Sequence, residues 1–293
     1  MYRVGVIGHG FVGVALDSGL QAVLGIECRI HDKFKSFESL DAVVDNSDIL
    51  FVALPTPMNF DTGECDLSII NEVLADIDKI ATGKSIVIKS TVPPGSTAAW
   101  AKRYPEQNFI FCPEFLTEKT FIEDFINQDR IILGTTSALV GVDNSVLDLF
   151  INFSSAQKMR GTTSKIKVVD SGVAEMVKYM GNCMLATKVI FCNEIAEICK
   201  ASDIDYSKVA DLVSLDKRIG SSHMTVPGHD GSHGFGGSCF SKDLNSLMFF
   251  AKEHGVDPLI LDSVWTKNLL VREVYDWEKL AQVTGKYTKK ENE

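Results

Sequence analysis

A glycine-rich segment, Gly-His-Gly-Phe-Val-Gly at residues 8–13, constrains the fold of this chain more than any other feature. It follows an apolar, β-branched run at residues 3–7 and precedes a helix-like segment. In that position Gly8 allows a tight turn, Gly10 lets a pyrophosphate approach the backbone and Gly13 permits close packing of the helix. A phosphate would then face a helix N-terminus, where backbone N–H groups favour negative charge. The segment therefore predicts a dinucleotide-binding turn.

An acidic residue at the end of the second predicted strand indicates which dinucleotide fits. That residue, Asp32, lies 19 residues after Gly13. A carboxylate there accepts hydrogen bonds from a ribose 2′-hydroxyl and repels a 2′-phosphate, so the sequence favours NAD over NADP. Lys33 and Lys35 keep NADP as an alternative, and a glycine-rich turn beside an unrelated surface aspartate is the other interpretation. His9 reads as a tolerated variable position of the turn.

Short β-branched runs alternate with helix-like segments through the first 170 residues. Between the runs lie amphipathic stretches such as residues 66–80, where apolar side chains recur on one helical face. This alternation predicts an α/β fold with a Rossmann-like, doubly wound parallel sheet covered on both faces. The predicted strands lie at residues 3–7, 27–31, 49–53, 85–89, 108–112, 130–133 and 166–169.

The pattern changes after residue 171, where residues 172–201 contain no proline and predict a helix roughly 45 Å long. A helix of that length usually bridges or supports domains. A loop rich in glycine, serine and histidine follows at residues 220–237, before helical patterns at 241–254 and 258–284. The predicted units are a dinucleotide-binding domain at 1–168, a helical central domain with a cysteine loop at 169–285, and a disordered charged tail at 286–293.

Composition excludes several classes of protein. The chain is 45% apolar and 23% charged with a net charge of −10, which is typical of a globular protein and unlike disordered, collagen-like or disulfide-scaffold chains. The acidic balance makes nucleic acid and anionic membranes poor partners. Apolar runs are too short for a membrane-spanning helix. Seven cysteines without a CxxC pair suit free thiols in a reducing cytoplasm, so we expect a cytoplasmic protein.

The chemical signal is a cysteine within the decapeptide Gly-Phe-Gly-Gly-Ser-Cys-Phe-Ser-Lys-Asp at residues 234–243. Cys239 follows small, flexible residues and stands where a helical pattern begins. An ordinary thiol is only about 3% ionised at pH 7, and a helix N-terminus or a nearby lysine raises that fraction. Asp243 lies four residues further on, on the same helical face. We predict a reactive thiol at Cys239 and inert, buried thiols at Cys28, Cys183, Cys192 and Cys199.

The long predicted helix places Glu175, Lys178 and Asn182 on one face, at i, i+3 and i+7. Lys178 is either a snorkelling surface residue or a cation that acts with Asn182 beside a developing oxyanion.

The loop after the long helix contains a histidine pattern that zinc would accept, namely His223, His229 and His233 with Asp230. No paired cysteine motif accompanies these histidines. We therefore favour solvated or substrate-facing histidines and predict no metal.

Eight segments together resemble the UDP-glucose/GDP-mannose dehydrogenase family, in order from residue 2 to about residue 284. Within that family Lys-Arg-Ile-Gly at 217–220 is similar to the branch that oxidises UDP-glucose. Ser241 replaces a proline usual in the decapeptide, and the loop at 223–232 looks longer than is typical. The segments are 8–13, Val-Ala-Leu-Pro-Thr-Pro at 52–57, Lys-Ser-Thr-Val-Pro-Pro-Gly at 89–95, Cys-Pro-Glu-Phe-Leu-Thr-Glu at 112–118, Asp-Arg at 129–130, 174–194, 217–220 and the decapeptide.

The resemblance implies two successive NAD-dependent oxidations at one sugar carbon, which turn a primary alcohol into a carboxylate. Cys239 would capture the aldehyde as a thiohemiacetal that becomes a thioester. Lys178 and Asn182 would stabilise oxyanions, and Asp243 would act with Lys178 on the hydrolytic water. The same water would be held or activated by Glu118 and Thr91.

The resemblance also implies residues that bind the two ligands and an oligomeric state. Glu114 would lie near the sugar, and Arg218 would reach the substrate of a neighbouring subunit in a homodimer built on the long helix. The expected substrate-binding residues are Glu114, Arg218, Lys178, Asn182 and Gly236. The expected NAD-binding residues are Gly8, Gly10, Phe11, Val12, Gly13, Asp32, Thr56, Thr91, Glu118 and Lys242.

Several alternatives stay open at this point. The nucleotide sugar could be GDP-mannose or UDP-N-acetylmannosamine, and a general hydroxyacid dehydrogenase would leave Cys239 without a role. Family members usually continue into a second dinucleotide-fold domain that holds much of the nucleotide, and we expect this chain to stop before it. A separate chain that supplies this domain is then an expected partner, and a catalytically weak NAD-binding dimer is the rival to an enzyme.

Overall fold

A computed structural model describes residues 2–136 and 144–285 of the chain. The tail predicted at 286–293 lies outside the described residues. The strands are β1 Val4–Ile7, β2 Arg29–His31, β3 Ile49–Val52, β4 Ser85–Ile88, β5 Asn108–Phe111, β6 Arg130–Thr135 and β7 Lys165–Asp170. The helices are α1 Phe11–Leu24, α2 Leu40–Asp45, α3 Ser68–Ile80, α4 Ser96–Arg103, α5 Phe121–Ile126, α6 Asn144–Met159, α7 Ser171–Ala201, α8 Tyr206–Val213, α9 Phe240–Glu253, α10 Leu259–Val271 and α11 Ala281–Thr284.

The strands form one sheet in the order β2-β1-β3-β4-β5-β6-β7. Its neighbours are parallel, except that β6 runs antiparallel to β5, with Ile110 opposite Thr135. The prediction of a Rossmann-like, doubly wound sheet is confirmed, but the prediction that all its strands are parallel is wrong for this pair. A parallel neighbour needs a crossover that returns the chain to the opposite edge of the sheet. The connection from β5 to β6 contains one described helix, α5, which has six residues.

The inner strands are buried on both faces because helices cover the sheet on each side. Side chains of β1 alternate between two apolar clusters: Val4 and Val6 pack in one, with residues of α1 and α6, and Ile7 packs in the other, with residues of α3 and α4. Full burial of such a side chain stabilises the fold by roughly 1.5–3 kcal/mol. Continuous β-branched runs therefore predicted these strands correctly.

The described residues divide into two compact units, and the division falls within α7, after Lys178. The first unit contains residues 2–56, 66–136 and 144–178, and the second contains 57–65 and 179–285. The predicted long helix at 172–201 is confirmed, and α7 has 31 residues. The domain boundary predicted between residues 168 and 169 stays a prediction.

The prediction of one helix over residues 258–284 is wrong for the second half of that range. The helix α10 ends at Val271, and Arg272 adopts an extended backbone conformation there. A 3₁₀ turn at Asp276–Glu278 follows, in which Trp277 is buried in an apolar cluster with Met58 and Val283. No proline or glycine lies between the end of α10 and this turn, so no helix-breaking residue marks the end of the helix in the sequence.

The described helices include none that is both long and apolar enough to cross a membrane.

Candidate active site

The glycine-rich turn lies at the carboxyl end of β1, where the strand order reverses between β2 and β3. Gly8 has a φ of +90°, and a Cβ atom there would lie 2.5 Å from the carbonyl oxygen of Ala53. A Cβ atom on Gly13 would lie 2.1 Å from the carbonyl oxygen of Gly8, so both positions require glycine. Gly10 has open space where a Cβ would stand, and α1 begins at the next residue. The first N–H groups of a helix lack partners within it, which makes this turn a fitting cradle for a pyrophosphate.

Asp32 is held in place directly after β2. One of its carboxylate oxygens accepts the backbone N–H of His9 and the other accepts that of Phe34, each at 2.9 Å. A carboxylate offers about four acceptor positions, so further positions remain for ribose hydroxyls. The ammonium of Lys35 donates to the carbonyl oxygen of His9 at 2.5 Å. The residues of this turn therefore fit NAD.

A buried ion pair lies beyond the carboxyl end of β5. Lys178 Nζ lies 2.7 Å from Glu114 Oε1 and donates to the Glu114 carbonyl oxygen at 2.8 Å, and both side chains are less than 10% exposed. Burial alone would raise the pKa of Glu114, but Lys178, the N–H of Leu116 and the charge of Lys89 outweigh burial and lower this pKa. The interpretation of Lys178 as a snorkelling surface residue is wrong. It is a buried cation.

Two other polar side chains of the first unit, Lys89 and Glu175, have partners that are distant in the sequence. Lys89 is buried, and its ammonium contacts Cys112 Sγ at 3.5 Å and the carbonyl oxygen of Pro113 at 3.2 Å. Glu175 accepts hydrogen bonds from the N–H of Gly95 and from the N–H and hydroxyl of Thr97. Burial raises the pKa of Glu175, although these hydrogen bonds oppose the shift. Glu175 therefore binds the N-terminus of α4.

In the second unit, Cys239 is the residue immediately before α9, as predicted, and is half-buried. Its Sγ lies 3.7 Å from Ser238 Oγ, and its carbonyl oxygen accepts the N–H of Asp243 at 2.9 Å. The buried carboxylate of Asp243 accepts Asn182 Nδ2 and Lys242 Nζ, each at 2.5 Å. Burial lowers the pKa of Lys242, but the charges of Asp243, Cys65 and Cys239 raise it above its ordinary value. The structure thus brings Asn182, Lys242 and Asp243 together at the start of the helix that follows Cys239.

The remaining predicted site residues have varied surroundings. Thr56 is buried, and its hydroxyl donates to the carbonyl oxygen of Thr91, which is half-buried. Glu118 is exposed. Arg218 is 89% exposed and pairs with Asp216 two residues earlier. Gly236 lies against a buried guanidinium, and its Cβ would stand 2.1 Å from Arg272 Nη2. The roles predicted for these residues stay predictions.

The polar side chains of the histidine-containing loop at residues 220–237 contact different partners. The ring of His223 packs on Phe240, Asp230 pairs with Arg272 at 2.7 Å, and His233 Nδ1 lies 3.1 Å from Asn193 Oδ1. Within the described part of the chain, no three His, Cys, Asp or Glu side chains converge as metal ligands.

The cysteines predicted to be inert lie in apolar surroundings. Cys183, Cys192 and Cys199 are buried and Cys28 is half-buried. Burial raises the pKa of the Cys28 and Cys183 thiols, and a neighbouring aspartate adds to the shift in each case. The raised pKa makes the thiols of Cys28 and Cys183 poor nucleophiles at neutral pH.

The fold and these side chains define a class: an α/β unit with a dinucleotide-binding turn, joined by a long helix to a helical unit that presents a cysteine at a helix N-terminus. Two sequence models of one family match the chain. The UDP-glucose/GDP-mannose dehydrogenase family, NAD binding domain, matches residues 15–154, and the central domain of the same family matches residues 172–269. The chain belongs to the UDP-glucose/GDP-mannose dehydrogenase family.

Curated relatives include two proteins named UDP-glucose 6-dehydrogenase. The protein of Rickettsia bellii is 33% identical over 246 residues, and that of Bacillus subtilis is 34% identical over 270 residues. The alignments cover 81% and 89% of this chain but only 53% and 54% of the relatives. The chain therefore spans about half the length of these relatives.

Solved structures share the fold over most of the chain. A UDP-glucose dehydrogenase from Pyrobaculum islandicum has a TM-score of 0.74 at 25% identity, over 92% of this chain and 68% of that one. A GDP-mannose dehydrogenase from Pseudomonas aeruginosa has a TM-score of 0.64 at 24% identity, over 92% of this chain and 69% of that one. The second likeness concerns the fold alone.

Proposed function

We propose that this protein is an NAD-dependent nucleotide-sugar 6-dehydrogenase that oxidises UDP-glucose to UDP-glucuronate. The observation that carries the proposal is the position of Cys239 immediately before α9, with the buried Asp243 one turn into that helix. Asp243 is bonded to an amide, Asn182, and to an ammonium, Lys242. A thiol, an amide, a cation and a carboxylate are the groups needed to form and hydrolyse a thioester.

The glycine-rich turn would hold NAD through its pyrophosphate, with Gly10 and the first N–H groups of α1 facing the phosphates. Asp32 would accept the ribose hydroxyls. NAD, when bound, supplies the oxidant, because its nicotinamide accepts a hydride in each of two oxidations. The other residues proposed to bind it are Gly8, Phe11, Val12, Gly13, Thr56, Thr91, Glu118 and Lys242.

Cys239 would make the intermediate covalent. After the first oxidation gives an aldehyde, the thiolate adds to the carbonyl carbon, a C–S bond forms and the oxygen takes up a proton to give a thiohemiacetal. The second oxidation converts this adduct into a thioester. Water then attacks the same carbon, the C–S bond breaks, and the carboxylate and the free thiol are released. One alcohol, two NAD and one water thus give one carboxylate, two NADH and three protons.

The buried polar residues would stabilise the charges in these steps. Lys178 and Asn182 lie four residues apart on α7, and we assign both to the oxyanions that form on the sugar carbon. Glu114 pairs with Lys178 and would contact the sugar. Asp243 would accept a proton from the attacking water. The water itself would be held by Glu118 and Thr91.

UDP-glucose is proposed as the substrate because the relatives that match over most of this chain carry that specificity in their names. We also propose a homodimer built on α7, in which Arg218 of one subunit reaches the substrate of the other. The exposed guanidinium of Arg218 supports this role, since it extends from the surface with only Asp216 as an ion-pair partner among the described residues.

A panel of nucleotide sugars tests the proposed function. Purified protein is mixed with NAD and with UDP-glucose, GDP-mannose or UDP-N-acetylmannosamine, and NADH is followed by absorbance. We expect turnover with UDP-glucose and at least tenfold lower kcat/KM with the other two sugars. Turnover of a different sugar would change the proposed substrate. Binding of NAD without turnover of any sugar would contradict an enzymatic role for this chain.

A further inference from the structure

The backbone of residues 234–237, just before Cys239, is bonded by three side chains that the sequence did not single out. Asn193 Oδ1 accepts the N–H of Gly234 at 3.1 Å. Asn268 binds the N–H and the carbonyl oxygen of Phe235, at 2.8 and 3.2 Å. Asp276 Oδ2 accepts the N–H of Gly237 at 3.0 Å. Each bond fixes one peptide group within five residues of the thiol.

Arg272 lies beside Gly236, the one residue of the segment 234–237 that these three side chains do not bind. Its side chain is 4% exposed, and Nη2 fills the space that a Cβ on Gly236 would need. Nη2 also lies 2.7 Å from Asp230 Oδ2 and 3.4 Å from Asp276 Oδ2, while Nε donates to the carbonyl oxygen of Val274 at 3.2 Å. The guanidinium therefore holds the carboxylate that binds Gly237, and it packs directly on Gly236.

Two atoms of this cluster indicate that it is not arranged for stability alone. Arg272 Nη1 and Asp276 Oδ1 are buried, and neither has a hydrogen-bond partner among the described residues. A buried donor or acceptor without a partner costs free energy, so such groups are few in native proteins. Unpaired groups of this kind call for an explanation beyond the stability of the fold.

We propose that Arg272 and Asp276 are positioning residues for Cys239: they fix the backbone at Gly236 and Gly237, so that the thiol is presented at the N-terminus of α9. The inference rests on the proposed function of Cys239 as nucleophile. The contacts form a series that leads to the thiol: the guanidinium of Arg272 contacts Asp276, Asp276 accepts the N–H of Gly237, and Cys239 follows two residues later.

The test compares Arg272→Met and Asp276→Ala with the unchanged protein. Alkylation of Cys239 by iodoacetamide is followed by mass spectrometry of its peptide, and kcat and KM for NAD are measured on folded protein. We expect alkylation to slow at least fivefold and kcat to fall at least tenfold, with KM for NAD within twofold. A purely structural role would lower the melting temperature and leave both rates of the folded fraction unchanged.

Lys267→Met is the matched control. Lys267 is a cation of α10 that forms an ion pair with Glu197, away from the backbone of residues 234–237 that Arg272 and Asp276 contact. Its alkylation rate and kcat should stay within twofold of the unchanged protein. If Arg272→Met does not fold, Gly236→Ala and Arg272→Lys disturb the same contact. Alkylation of Cys239 at an unchanged or higher rate in the folded variants overturns the proposal. Alkylation needs no sugar, so this result stands even if the proposed dehydrogenase activity fails.

Discussion

Lys178 and Glu114 form an ion pair in which both side chains are almost fully buried. Breaking a buried pair leaves an uncompensated charge, and this costs far more than losing a surface pair. Lys89 adds a second buried cation whose charge also acts on Glu114. The two buried cations therefore favour the ionised form of the Glu114 carboxyl group.

Glu114→Gln should lower the free energy of unfolding by about 3 kcal/mol at pH 7, because Lys178 loses its counter-charge. The pKa of Glu114 is lowered in the folded protein, so its contribution is complete above the unfolded pKa and is lost as pH falls through the folded pKa. Urea unfolding should show the largest difference above about pH 5 and a shrinking one below about pH 4. The exposed pair of Arg3 and Asp48 gives the control, since Asp48→Asn should cost at most about 1 kcal/mol.

Cys239→Ser should reduce carboxylate formation from UDP-glucose by at least about 10³-fold, because an alcohol at this position is a much weaker nucleophile. The product is quantified by liquid chromatography and mass spectrometry. Cys28→Ser removes another thiol, one whose pKa is raised by burial, and should leave the rate within twofold. Normal acid production by Cys239→Ser would exclude the thioester route.

Local spacing explains which site residues the sequence could predict. Cys239, Lys242 and Asp243 lie within one turn, so the decapeptide alone places them together. Glu114 and Lys178 are 64 residues apart, and their contact depends on how β5 and α7 pack. Arg272 falls at a helix end that periodicity does not reveal.

At the scale of elements, α4 begins at a carboxylate supplied by α7. Glu175 accepts the N–H groups of Gly95 and Thr97 at the N-terminus of α4, where a helix favours negative charge. The same carboxylate accepts the hydroxyl of the buried Thr97. One side chain thus joins two helices that are distant in sequence.

Glu175→Ala should therefore lower the free energy of unfolding by about 2–4 kcal/mol, since buried donors lose their acceptor. Hydrogen exchange at Thr97 should accelerate, and both quantities can be measured on the same samples. Asp205→Ala removes the exposed cap of α8 and should lower the free energy of unfolding much less than Glu175→Ala does. Equal costs for the two variants would contradict the assignment of Glu175 as a buried cap.

The sequence predicted whether a segment is a helix or a strand more reliably than it predicted the direction of a strand or the residue at which a helix ends. Buried, β-branched runs predicted the strands, and the absence of proline predicted α7. The antiparallel pairing of β6 with β5 and the end of α10 at Val271 have no counterpart in the local sequence pattern. Both are tertiary effects, which periodicity along one segment does not carry.

At the scale of the whole molecule, α7 presents large apolar side chains to solvent. Met180, Met184, Phe191 and Ile198 are all more than half exposed, and their spacing places them on one helical face. An exposed apolar face of this kind marks a protein-binding surface. This supports the proposed homodimer.

The variant Met180→Glu/Met184→Glu should shift the molar mass in light scattering from about twice 32.2 kDa toward 32.2 kDa, because four carboxylates would face one another across the two-fold axis. Leu270→Glu changes an apolar residue on α10 that is even more exposed than Met180 and Met184, and it should leave the mass unchanged. A monomer in the unchanged protein, or a dimer that survives the double substitution, would contradict the use of α7.

The net charge of −10 adds a constraint at this scale, because an anionic cofactor and an anionic substrate gain no long-range attraction from the protein. Under the proposed function, binding would rely on local donors, such as the glycine-rich turn, Lys178 and Arg218.

The stoichiometry of NADH shows whether one cysteine holds the sugar through two oxidations. A limiting amount of UDP-glucose is consumed to completion in excess NAD, and NADH is counted per mole of sugar. We predict two NADH and one UDP-glucuronate for each UDP-glucose. One NADH with free aldehyde as the product would contradict it.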